Sequence, residues 1–192
     1  MSSSLNGTGV TFSDGTSQPS AVNAVNGKVP SSSQINGVIV SGIAVASTSG
    51  TNIDFTSIPS WVKRITVMFN GVSSSGTSVI QLQLGSGSVS TSGYTCVGFH
   101  DNTGNAAAAY TSGFGINQTN VAAANYYGQV VFSLQSNNTW VGNGFFSSTG
   151  TAQLNFTAGV APNLSGTLDR VRITTVNGTD TFDAGSINIL YE

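Results

Sequence analysis

The sequence predicts an all-β protein, a jelly-roll-like β-sandwich with an extended N-terminal arm. Charged residues make up only 6% of the 192 residues, against about 25% in a typical soluble domain, and Ser, Thr, Asn and 24 Gly replace them. Short segments rich in Val, Ile and aromatic residues alternate with glycine-containing turns, which is typical of strands. The aromatic content of 9% and the many β-branched residues argue against a disordered chain.

Strand patterns begin at about residue 37 and continue to the end of the sequence. In the segment 78–84 the side chains alternate, which places Val79 apart from Ile80, Leu82 and Leu84. The best helical candidates, 105–110 and 121–124, are only one or two turns long, which is marginal in water. The clearest strand segments are 64–70, 78–84, 129–134, 168–175 and 186–191.

The composition divides the chain into an arm, residues 1–36, and a sandwich domain, residues 37–192. The arm is rich in Ser, Asn and Gly and has too few apolar residues to bury a core alone. Asp14-Gly15 is a hairpin-turn signal within it. We expect the arm to attach to another protein through Leu5, Val10 and Phe12.

Charge and hydropathy exclude several classes of partner. The net charge is -2 and the five cations form no basic patch, so we expect no nucleic-acid partner. No run approaches the roughly 18 apolar residues of a membrane-spanning helix, so we expect no membrane insertion. Residues 1–4 lack the charged and apolar regions of a signal peptide, which predicts synthesis in a cytoplasm. The cations are Lys28, Lys63, Arg64, Arg170 and Arg172.

Catalytic and metal-binding residue types are scarce. His100 is the sole histidine, and the neighbouring Asp101 is badly placed to orient it as in a catalytic triad. Cys96 is the sole cysteine and is expected to be a small buried hydrophobe. Asp180 and Asp183 read as turn residues before the last strand. We therefore expect no enzyme activity, no catalytic residues, no cofactor and no metal site.

Several segments resemble a known group of proteins. Residues 53–73, 76–85, 92–94 and 166–192 resemble segments of short bacteriophage virion proteins of the tail-fibre or minor structural type. Residues 10–18, Val-Thr-Phe-Ser-Asp-Gly-Thr-Ser-Gln, resemble a short motif near the beginning of phage fibre chains. The resemblance implies a homotrimer on the surface of the virion, and it provides no catalytic motif.

Two functions are compatible with this resemblance. In the first, the chain is a trimeric tail-fibre or spike-type subunit whose arm binds the tail and whose sandwich meets the host surface, with a surface glycan as a candidate partner. In the alternative, it is a capsid decoration protein, a cement protein or head fibre, that binds and stabilises the major capsid shell. Tyr110, Tyr126 and Tyr127 are candidates either for stacking on a receptor sugar or for a subunit interface, where tyrosine is enriched.

Overall fold

The structure is a computed structural model. It describes residues 39–101, 106–122, 124–150 and 153–192, and the backbone of three short strands near the beginning of the chain. The chain divides into two units, residues 1–38 and residues 39–192.

The first unit contains a small antiparallel sheet in the order β1-β2-β3. Its strands are β1 (Ser4–Asn6), β2 (Gly9–Thr11) and β3 (Ser17–Gln18). Leu5 and Val10 occupy paired positions of β1 and β2, and only their backbone is described. Phe12 and the predicted turn Asp14-Gly15 lie outside the described residues. The role of this segment in attachment stays a prediction.

The second unit is a β-sandwich of two antiparallel sheets, so the predicted all-β class is confirmed. The larger sheet has the order β11-β10-β15-β14-β13-β7-β17-β4, with β5 also paired to β17. Its strands are β4 (Val40–Ser41), β5 (Val45–Ala46), β7 (Arg64–Ser74), β10 (Thr95–His100), β11 (Ala106–Tyr110), β13 (Tyr126–Ser136), β14 (Thr139–Ser148), β15 (Gln153–Val160) and β17 (Phe182–Tyr191).

The smaller sheet has the order β12-β8-β16-β6, with β9 also paired to β8. Its strands are β6 (Asn52–Thr56), β8 (Ile80–Ser86), β9 (Ser88–Val89), β12 (Phe114–Gly115) and β16 (Arg170–Thr175). The five clearest strand segments of the sequence thus correspond to β7, β8, β13, β16 and β17.

Aromatic side chains fill the space between the two sheets. Phe114 from the smaller sheet makes edge-to-face contacts with Phe132 at 5.0 Å and Tyr94 at 5.6 Å between ring centroids. All three are almost fully buried. Gly142 faces this cluster because a Cβ atom there would lie 2.5 Å from the Phe132 ring. The Phe132 ring therefore requires a glycine at the paired position of the neighbouring strand, β14.

The best helical candidate of the sequence forms a strand instead. Residues 106–110 are the edge strand β11, which pairs with β10 over five positions from Cys96↔Tyr110 to His100↔Ala106. The helix preference of alanine is below about 1 kcal/mol per residue, and a ladder of hydrogen bonds together with burial of Tyr110 outweighs it. No helix occurs in the part of the chain that the structure describes.

Candidate functional site

The outer surface of the larger sheet carries an extended group of exposed apolar residues on β11, β10, β15, β14 and β13. We call this surface the apolar face. Phe145 is 65% exposed, Leu154 57% and Val97 48%. Isolated exposed apolar residues are common on soluble proteins, whereas a contiguous patch marks an interaction site. The apolar and aromatic members are Val97, Phe99, Ala107, Ala109, Tyr127, Val131, Val141, Phe145, Leu154, Phe156, Ala158 and Val160.

A row of three phenylalanines crosses the centre of the apolar face. The register pairs Phe99 of β10 with Phe156 of β15, and Phe156 with Phe145 of β14. The Phe99 and Phe156 rings are stacked with centroids 4.4 Å apart, and the Phe145 and Phe156 centroids are 5.8 Å apart. Stacking on one another removes only part of their area from water, because Phe145 and Phe156 remain more than a third exposed.

The central strand β15 has its polar side chains inside the sandwich and its apolar side chains outside. Asn155 and Thr157 are 0% and 1% exposed, whereas Leu154 and Phe156 on the alternate positions face outward. A shift of one residue in register would exchange the two sets of side chains. The register observed is the one that leaves the apolar set unburied in the single chain.

Polar neighbours explain how the inward side of β15 is accommodated. Asn155 pairs across the sheet with His100 and donates its Nδ2 hydrogen to the Ser148 hydroxyl at 3.2 Å. Thr157 lies 3.2 Å from the Cys96 Sγ atom, and burial raises the pKa of that thiol. The His100 Nδ1 and Asn155 Oδ1 atoms are buried without a hydrogen-bond partner within the described part of the chain. Leaving such atoms unpaired costs free energy, so this register carries a penalty in the single chain.

The apolar face carries no charge. None of the five strands contains Lys, Arg, Asp or Glu. Asp101 follows β10 at one border and accepts a hydrogen bond from the Leu154 backbone N–H at 2.6 Å. Arg64, on the neighbouring strand β7, is paired with Glu192 at 2.9 Å. A surface of this kind fits an apolar partner and gives a charged partner nothing to bind.

The three candidate tyrosines have different environments. Tyr110 and Tyr126 are buried, and burial raises the pKa of each to about 12. The Tyr110 hydroxyl donates to the Asn117 carbonyl at 2.8 Å, and the Tyr126 hydroxyl donates to Asn120 Oδ1 at 2.7 Å. Neither ring therefore offers a face to a sugar or to another subunit. Tyr127 is 41% exposed at the edge of the apolar face.

His100 and three carboxylates, Asp101, Asp180 and Asp183, have separate environments. His100 is buried, while the adjacent Asp101 is exposed. Asp180 accepts hydrogen bonds from the Ser78 backbone N–H and from Asn177, which is a role in a turn. Asp183 accepts a hydrogen bond from the Ser73 hydroxyl. Among the described residues there is no group of three His, Cys, Asp or Glu side chains that could hold a metal ion.

A second feature lies on the opposite side of the sandwich, on the outer surface of the smaller sheet. It is a polar depression of about 450 Å³, which we call the polar trough. Its floor includes Gln81 and Gln83 of β8, Arg172 of β16 and Asn52 of β6. The alternation of side chains in 78–84 does not predict that both glutamines are buried. They are shielded from solvent by the segment around Ser112, which is distant in sequence.

Comparison of the chain with protein-family models, with curated proteins and with solved structures gave no match. Among the described residues, no helix has the length and apolar character needed to cross a membrane. The structure shows a β-sandwich protein. Its larger sheet exposes the apolar face, and its smaller sheet exposes the polar trough.

Proposed function

We propose that the chain is a structural protein of a bacteriophage particle, a trimeric tail-fibre or spike-type subunit attached through residues 1–36. The inside-out strand β15 is the observation that supports assembly most directly. A single subunit exposes Leu154 and Phe156 while it buries Asn155. Association recovers the hydrophobic free energy that this register leaves unused. The phage assignment itself rests on the sequence resemblance.

The dimensions of the apolar face suit an interface between copies. Five strands spaced about 4.8 Å apart are about 24 Å wide, and the eight residues of β15 are about 27 Å long. The projected area is about 650 Å², close to the roughly 800 Å² per partner of a standard stable interface. A second copy suits this surface better than a charged partner does, because the face has no charge to complement or repel.

The strand order is compatible with the threefold arrangement that we propose. In the sequence of strands β11-β10-β15-β14-β13, the inside-out strand β15 is central. With β15 nearest the axis, the β10–β11 side of one subunit packs against the β13–β14 side of the next. Head-to-tail contacts form a closed ring where the rotation between neighbouring copies closes, and we propose a ring of three. In this arrangement the phenylalanine row lies beside the axis.

The mass of the purified protein in solution tests the assembly. Multi-angle light scattering should give three times the 19.5 kDa of one chain. Deletion of residues 1–36 should leave this trimer folded but should abolish its incorporation into particles. A monomer at micromolar concentration would refute the assembly, and a truncated chain that still enters particles would place the attachment surface on the sandwich.

The position on the particle has a separate test. Electron cryo-microscopy of the virion should place the chain on the tail as a fibre or spike. Density at threefold positions of the shell would instead support the alternative, a capsid decoration protein. Absence of the chain from purified particles would refute both roles.

A further inference from the structure

One wall of the polar trough is formed by a segment that crosses the outer surface of the smaller sheet. Gln83 donates its Nε2 hydrogen to the Ser112 carbonyl at 2.8 Å, and the Ser112 hydroxyl donates to Gln81 Oε1 at 2.8 Å. Gly113 follows, and a Cβ atom there would lie 2.8 Å from Gln81 Oε1 and 2.8 Å from the Leu82 carbonyl oxygen. Glycine thus lets this wall approach the sheet, which is why both glutamines are less than 5% exposed.

The opposite wall is a hydrogen-bonded turn between β16 and β17. Asn177 Oδ1 accepts hydrogen bonds from the backbone N–H groups of Thr179 and Asp180 and from the Thr175 hydroxyl. Gly178 takes a positive φ of 68° in this turn. The trough is therefore bounded on both sides by segments that hydrogen bonds hold in place, so it needs little reorganisation to receive a ligand.

The charge in the trough is neutralised. Arg172 donates from Nε and Nη2 to the two carboxylate oxygens of Asp54, both at 2.7 Å. This bidentate pair raises the pKa of the Arg172 guanidinium, and it occupies the donors that would clamp a carboxylate or phosphate ligand. A neutral ligand therefore fits the trough better than an anion.

Three polar groups remain open toward the trough. Within the described part of the chain, no hydrogen bond uses Arg172 Nη1, Gln83 Oε1 or Asn52 Oδ1. Thr91 adds an exposed hydroxyl at the rim. One donor and two acceptors beside a hydroxyl match a ligand whose groups both donate and accept hydrogen bonds.

We propose that the polar trough binds a neutral saccharide unit, held by hydrogen bonds rather than by stacking. Among the described residues that line the trough there is no aromatic ring, so recognition depends on the ring hydroxyls of the sugar. The volume of about 450 Å³ lies within the usual range of small-molecule sites. In the proposed fibre subunit, this saccharide would belong to the host surface. Only that biological setting rests on the proposed function, whereas the binding itself is argued from the geometry of the trough.

Titration of the full-length protein with simple sugars tests the site. Methyl α-D-glucopyranoside and N-acetyl-D-glucosamine serve as neutral probes, and N-acetylneuraminic acid as an anionic probe, with amide chemical shifts observed by NMR. At least one neutral probe should shift the amides of residues 81–83 and 172–174 saturably, with a dissociation constant on the order of millimolar. Absence of saturable shifts for both neutral probes would overturn the proposal, as would preferential binding of the anionic probe.

A matched pair of variants shows whether the binding occurs in the trough. Thr91→Trp places a large ring at the exposed rim and should weaken binding about tenfold or more. Thr56→Trp is the control, because Thr56 is exposed on β6 of the same sheet and does not line the trough. Equal binding by both variants would overturn the location.

The sugar titration and the mass measurement fail independently. A trimer that binds neither neutral sugar would refute the saccharide site and leave the assembly intact. A monomer that binds sugar would refute the assembly and leave the site intact.

Discussion

Replacement of Phe145 by serine should weaken association of the subunits without unfolding them. Full burial of a phenylalanine side chain is worth up to about 3 kcal/mol, and 65% of the residue is still exposed in the subunit. Burial at an interface should therefore contribute about 2 kcal/mol per subunit. For three subunits this amounts to about 6 kcal/mol, or roughly ten-thousand-fold in the association constant.

Stability of the single subunit should change little in the same variant. Phe145 contacts Phe156 at 5.8 Å between centroids but is not part of the buried core. Surface substitutions of this kind usually alter the free energy of unfolding by about 0.5 kcal/mol or less. Sedimentation equilibrium across a range of concentrations measures the association, and circular dichroism of the dissociated subunit checks the fold.

Two valine variants provide a matched control for this experiment. Val141 on the apolar face is 40% exposed, and Val176 in the turn after β16 is 43% exposed. Val141→Ser should weaken association by about 0.7 kcal/mol per subunit, in proportion to its exposed area, whereas Val176→Ser should not. An unchanged association constant for Phe145→Ser, or equal losses for the two valine variants, would refute the assignment of the interface.

Three further predictions concern stability. Phe114→Ala should lower the free energy of unfolding by about 3 to 5 kcal/mol in denaturant titrations, because the ring is fully buried between Tyr94 and Phe132; a loss below about 1 kcal/mol would contradict the packing. Burial raises the pKa of Tyr94 from 10.0 to about 12, so its neutral form contributes stability that is complete below pH 10.0 and is lost as the pH rises through 12. Phenolate absorbance should therefore rise together with the loss of β-sheet circular dichroism, and ionisation of all five tyrosines near pH 10 in the intact fold would be inconsistent with this burial. The hydrogen bond from Arg170 lowers the pKa of Asp169, so its contribution is present above the ordinary value of 3.8 and is lost as the pH falls through the lowered value. Because the Asp169 side chain is 38% exposed, Asp169→Asn should cost less than about 1 kcal/mol at neutral pH in thermal unfolding, and a larger cost would show a more buried pair.

Local patterns in the sequence predict much of the sandwich. Strands such as β7 and β17 combine β-branched residues with period-two alternation, and the structure confirms both while extending them by several residues. The strand β6 was not predicted, although it buries Ile53 and Phe55. It has only five residues, three of them polar, so the alternation is too short to stand out.

The two outer surfaces depend on tertiary contacts that no local pattern contains. Alternation in β15 identifies two sets of side chains but does not say which set faces the core. The choice follows from pairing with β14, the preceding strand of the chain, and with β10, which is distant in sequence. The burial of Gln81 and Gln83 likewise depends on Ser112, 31 and 29 residues away. Both candidate sites therefore lay beyond prediction from alternation alone.

The distribution of charge connects the low charge content with assembly. Arg170 and Arg172 lie on β16 of the smaller sheet, and Arg64 lies on β7, each in an ion pair with a carboxylate. The five strands of the apolar face carry no charge at all, so burial of this face in an interface brings no desolvation penalty for ions. Association through the apolar face then depends on apolar area and should change little with salt concentration. A strong weakening of the assembly by salt would place the interface on a charged part of the surface instead.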